Sequence, residues 1–66
     1  MTQVTLHKGN NAETYDFGKD FQGKSFFQEL CDSYNIPDED INRDGNEWRT
    51  AFIGHDVVIT LTIINQ

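Results

Sequence analysis

Two runs near the C-terminus alternate apolar and polar residues on either side of Gly54-His55, and they constrain the fold more than any other feature of the chain. Alternation with a period of two marks a strand with one buried face. Glycine in the first turn position suits a type II′ hairpin, which pairs Ile53 with Asp56. That register sets Phe52 opposite Val57, Thr50 opposite Ile59 and Trp48 opposite Leu61. Both strands thus nominate the same face for the core, and Ile63 extends it. A slip of one residue would turn all of these side chains to the other face. The outer face then carries Arg49, Ala51, Val58, Thr60, Thr62 and Ile64.

The N-terminal part reads as a second hairpin. Val4 and Leu6 alternate with Thr5 and His7, which predicts a strand over residues 2–8. Lys8-Gly9-Asn10-Asn11 predicts a turn, since Gly and Asn tolerate positive φ. Thr14 to Phe17 follows as a strand with Tyr15 and Phe17 on one face. Gly18 to Lys24, with its glycines at 18 and 23, reads as a loop. Ser25-Phe26-Phe27-Gln28 fits a capping box and predicts a helix over residues 25–35. That helix sets Phe26, Phe27, Leu30, Cys31 and Tyr34 inward and Gln28, Glu29, Asp32 and Ser33 outward. Asn35 is a left-handed stop, Ile36 a hydrophobic cap contact and Pro37 a barrier to continuation. Pro37 to Asn46 reads as an acidic loop or short turn.

The expected architecture is one α+β domain over residues 1–66, with ββαββ order and a four-stranded sheet packed on one helix. The expected core is Val4, Leu6, Tyr15, Phe17, Phe26 or Phe27, Leu30, Trp48, Phe52, Val57, Ile59, Leu61 and Ile63. The helix exit Asn35-Ile36-Pro37-Asp38 and the turn Phe52-Ile53-Gly54-His55-Asp56-Val57 resemble the matching stretches of ubiquitin-like domains. The resemblance covers most of the chain and implies a β-grasp arrangement. Sulfur carriers and conjugated modifiers of that superfamily end in Gly-Gly, whereas this sequence ends Ile63-Ile64-Asn65-Gln66. Conjugation and sulfur carriage are therefore not implied.

Charge separates the function classes. The net charge is −6, and the segments 1–28 and 48–66 each sum to zero. The whole excess lies in residues 29–47, where Glu29, Asp32, Asp38, Glu39, Asp40, Asp44 and Glu47 face only Arg43. Direct nucleic-acid binding needs a basic patch, and the sequence has none. Two readings of the acidic segment compete: a solvated surface that keeps the chain soluble, and a docking surface for a protein with a basic surface. The second reading nominates Asp38, Glu39, Asp40, Asp44 and Glu47 as partner-binding residues. A chain of 66 residues buries only about 60% of its unfolded surface. It has little room for a deep active site.

Candidate chemistry is sparse. Asp40-Ile41-Asn42-Arg43-Asp44-Gly45 fits the opening of a calcium loop. The bidentate Glu such a loop needs falls at Ala51, so the expected reading is an Asx-rich turn with no metal. Cys31, on the apolar side of the predicted helix, is expected to be a small buried hydrophobe. Neither His7 nor His55 forms a nucleophile–base pattern with it, so no catalytic residues and no cofactor are expected. The lone cysteine, the lack of a secretory pattern at the N-terminus and the shortness of the Val57–Ile64 run point to a cytoplasmic chain without membrane contact. The expected function is that of a small acidic, non-enzymatic protein-binding module with an adaptor or regulatory role. The alternative is a phage or mobile-element inhibitor that mimics nucleic acid with its acidic surface and blocks a nucleic-acid-binding enzyme. A monomer or a weak homodimer through the exposed sheet face fits either.

Overall fold

Val4 and Leu6 fall on the buried side of the first strand, as their alternation predicts, and Ile59 and Leu61 meet them from the last strand. The computed structural model describes residues 1–51 and 55–64. Its elements are β1 (Thr2–Lys8), β2 (Asn11–Phe17), α1 (Asp20–Ser33), a 3-10 turn (Asp38–Asp40), β3 (Ile41–Asp44), β4 (Glu47–Thr50) and β5 (Val57–Ile63). The strands form one five-stranded sheet in the order β2-β1-β5-β4-β3, and each neighbouring pair is antiparallel. Helix α1 covers one face of that sheet. Val4, Leu6, Phe27, Cys31, Ile36, Val57, Ile59 and Leu61 form the buried core between the two layers.

The sheet corrects the expected ββαββ order to ββαβββ. The added element is β3, in the segment read from sequence as an acidic loop. Ile41 packs against the core and Arg43 pairs with Trp48, so alternation is present there, masked by Asp and Asn, which disfavour strands. The β-grasp arrangement is not confirmed. The extra strand adds one chain reversal, so β5 runs antiparallel to β1 instead of parallel to it. The turn and pairings assigned to Phe52, Ile53 and Gly54 lie outside the described residues. The register they implied is nevertheless present further along, since Trp48 pairs with Leu61. In addition, the Ile59 N–H donates to Thr50 Oγ1 at 3.0 Å.

The helix begins five residues before Ser25, at Asp20. Ser25 is an exposed interior residue, and the N-cap position is held by Lys19 with no side-chain bond. The expected capping box is thus corrected. Gly23 misled the reading because glycine disfavours helices. Here its lack of a side chain is what admits β1, since a Cβ at Gly23 would overlap Thr2 Cγ2 and lie 2.8 Å from Thr2 Cβ. The Thr2 hydroxyl donates to Asp20 Oδ1 at 2.6 Å and ties the first helical turn to the sheet. The helix exit matches its reading. Asn35 has φ 55, and Ile36 N–H and Asn35 N–H donate to the carbonyls of Cys31 and Asp32 at 2.9 and 3.2 Å. That pair of bonds is a Schellman motif, and Ile36 is its buried hydrophobic contact.

Of the expected core, Tyr15 is corrected to a surface position with 38% exposure. Phe27 is the fully buried member of the Phe26–Phe27 pair. Phe26 is half-buried and packs beside β2, with its ring centroid 4.9 Å from Tyr15 and 5.2 Å from Phe17.

Candidate functional site

The five nominated carboxylates lie along the β3 edge of the sheet. Pro37 adopts an extended conformation that ends the helix exit, and the Asp40 N–H then donates to the Pro37 carbonyl at 2.9 Å. This closes a 3-10 turn made entirely of acids, Asp38-Glu39-Asp40. At the other end of β3, Gly45 with φ 61 opens the tight turn to β4. Positive φ at the first turn residue and not at the second, Asn46, is the type II′ pattern. The turn sets Asp44 directly opposite Glu47. Asp38, Glu39, Asp44 and Glu47 are exposed, while Asp40 is half-buried. The carboxylates therefore form two groups, one at each end of a short edge strand.

Arg43, the single cation of the acidic segment, is turned toward the helix. Its Nη2 donates to Gln28 Oε1 at 2.6 Å and to Asp38 Oδ1 at 3.2 Å. Gln28 in turn donates to Asp32 Oδ1 at 3.0 Å. The guanidinium lies 5.8 Å from the centroid of Trp48, and Lys24 Nζ lies 5.4 Å from it. Trp48 also meets Phe27 edge-on at 5.6 Å. It is half-buried and packs against the core. Besides Lys24, spatial proximity adds a second cation that the segment count did not include. Arg49 pairs with Asn42 across β3–β4 and lines a shallow hollow with Glu39 and Asp40.

Asp40 has a partner that no spacing in the sequence announced. Its Oδ2 is 2.8 Å from His55 Nε2, and the His55 side chain is 16% exposed. The Ala51 N–H donates to the Asp40 carbonyl at 2.7 Å, which extends the β3–β4 pairing and brings the 3-10 turn toward His55. His7 and His55 line one hollow of about 330 Å³ near the start of β5. A base oriented by a carboxylate is half of a nucleophilic arrangement. That hollow supplies no Ser, Thr or Cys among the described residues. Cys31 is buried in the core, and burial pushes its thiol up to about 11.

The calcium-loop pattern folds as strand. Asn42 and Asp44 belong to β3 and point to one face about 6.6 Å apart along the chain. Calcium needs its oxygens wrapped within roughly 2.3–2.6 Å of one centre. Among the described residues no group of three or more His, Cys, Asp or Glu converges in that way.

No family model, curated protein or solved structure matches the chain. Among the described residues, no helix is long and apolar enough to cross a membrane.

Proposed function

We propose that this chain is a small acidic, non-enzymatic binding module that meets a basic protein surface with its β3 edge. The observation that carries the reading is the orientation of Arg43. Its guanidinium is engaged by Asp38, Gln28 and the Trp48 ring. The charges turned outward at Glu39, Asp44 and the start of β4, Glu47, are therefore negative, with Arg49 the neighbouring exposed cation. Complementary fields of this kind act mainly on association rate and partner choice. An adaptor or regulatory role follows from a surface that binds without a catalytic set.

The test begins with capture of partners from the native host and measurement of association kinetics over a range of salt. Reversing Asp38, Glu39 and Asp44 together to Lys is expected to slow association and flatten its salt dependence, with the circular dichroism spectrum unchanged. Binding retained with the parent's salt slope would remove the β3 edge from the contact. A partner whose own ligand is nucleic acid, displaced by this chain in competition, would favour mimicry over adaptor binding.

A further inference from the structure

The other edge of the sheet is built differently. β2 is seven residues long, against four for β3, and it contains neither Pro nor Lys, its only charges being Glu13 and Asp16. Natural edge strands are usually blunted by such residues, by shortness or by a covering element. The Gly9-Asn10 turn closes on Lys8 and Asn11, which fixes which β2 groups bond to β1. In such a hairpin the closing pair exchanges hydrogen bonds and alternate pairs follow it. Asn11, Glu13, Tyr15 and Phe17 therefore bond inward. The N–H and C=O groups of Ala12, Thr14 and Asp16 point away from β1, with no further strand beside them among the described residues. The contact between Thr5 Oγ1 and Thr14 Oγ1, at 3.1 Å, fits this phase, because side chains approach most closely in non-bonded pairs.

We infer that β2 is a dimer edge, which pairs antiparallel with β2 of a second copy about a two-fold axis at Thr14. That register engages all of the outward main-chain groups. Thr14 faces Thr14 of the second copy, Ala12 faces its Asp16, and Glu13 faces its Tyr15. No acid directly faces an acid. A shift of the axis to residue 13 would set Glu13 against itself. A shift to residue 15 would leave Ala12 without a strand partner. The aromatic group Tyr15, Phe17 and Phe26 flanks the seam on the helix side, where Tyr15 is already substantially exposed.

The self-complementary register selects the second copy as the occupant, and charge permits it, since the only charges of β2, Glu13 and Asp16, face Tyr15 and Ala12 across the seam. Residues 1–28 sum to zero, and they include β1, β2 and the first half of α1. The excess of −6 belongs to residues 29–47, whose strand β3 lies four strand spacings away, about 19 Å across the sheet. Pairing through β2 joins the neutral halves of two chains and keeps both acidic edges outermost. The result is a continuous sheet with both helices on one face.

Sedimentation equilibrium of the full chain from micromolar to millimolar concentration tests this. The parent is expected to dimerise. Thr14→Pro removes an outward N–H and no bond to β1, which an edge strand tolerates. By symmetry it deletes both bonds of the central pair and is expected to weaken the dimer about tenfold or more. Thr14→Lys sets two cations face to face and should weaken it similarly, which keeps the test intact if the proline variant unfolds. Thr60→Lys, on the open sheet face, should change the dimer constant by less than about threefold. Rising salt should leave the dimer unchanged or tighter, because both chains are acidic. A parent that stays monomeric at millimolar concentration would overturn the proposal. So would dimers untouched by both Thr14 variants, or dimers lost with Thr60→Lys alone.

Discussion

Gly23 shows how one residue type serves opposite demands. In an exposed helix, Gly→Ala adds about 1 kcal/mol of stability through propensity. Here the added Cβ would collide with buried Thr2, and overpacking of this kind costs about 1–3 kcal/mol. Gly23→Ala is expected to lower the denaturation midpoint, and a rise would show that β1 yields easily. Ser25→Ala should have the reverse character. Ser25 is exposed within α1, so alanine should leave stability unchanged or raise it by a few tenths of a kcal/mol. A loss near 1 kcal/mol would restore the capping role read from the sequence. The neighbouring link between Thr2 and Asp20 has a pH signature. The Thr2 hydroxyl bond, helped by the N-terminal amine, holds the Asp20 carboxyl below its ordinary 3.8. A folded-state value below the unfolded one means that the link stabilises above pH 3.8 and that this increment is lost as pH falls below it. The stability gap between the parent and Thr2→Val, measured by urea denaturation, should therefore narrow as the solution is acidified below that point. A gap that stays constant to pH 2 would show that the methyl packing of Thr2, not the bond, carries the difference.

At the scale of elements, β5 is the centre of the structure. It pairs with β1 on one side and β4 on the other, and Leu61 is fully buried beneath α1. Leu61→Ala is expected to cost about 2–5 kcal/mol, enough to threaten a domain of this size. A melting temperature within a degree or two of the parent would contradict the register. This strand was legible in the sequence because Val57, Ile59 and Leu61 are β-branched or large and recur at every second position, and because Trp48 and Thr50 independently gave the same pairing. The helix exit was legible because Asn35, Ile36 and Pro37 each have a distinct mechanical role there. β3 was not legible. Its inward residues are only Ile41 and Arg43, and its outward ones are those of a calcium loop. A usable signal existed in Gly45-Asn46, which repeats the Gly-first turn of Gly9-Asn10. Because β3 is extended, titration with micromolar calcium should give no saturable heat. A saturable signal that Asp40→Ala abolishes would require the loop to close around an ion. The helix start was illegible for a different reason. The need for Gly23 arises from a contact with Thr2, far away in sequence, and local propensity cannot report it.

Across the whole molecule, the division of charge seen along the sequence becomes a division in space. The neutral first half builds one side of the sheet, and the acidic segment builds the opposite edge with the helix end beside it. The nominated carboxylates were legible as a group, since composition alone isolates residues 29–47. Their pairing was not. Asp38 with Arg43 and Asp40 with His55 are made by the fold, and neither follows from spacing. The strand order has a consequence for synthesis. β5 leaves the ribosome after the other four described strands, yet it sits between the β1–β2 hairpin and the β3–β4 hairpin. Until it emerges, those hairpins have no common edge and α1 has only half a surface to cover. Nascent chains stalled before Val57 should therefore be digested by protease as quickly as an unfolded chain, and protection should appear in one step once Ile63 is free. Folding of this domain is then an event that waits for β5, the strand that joins its two hairpins.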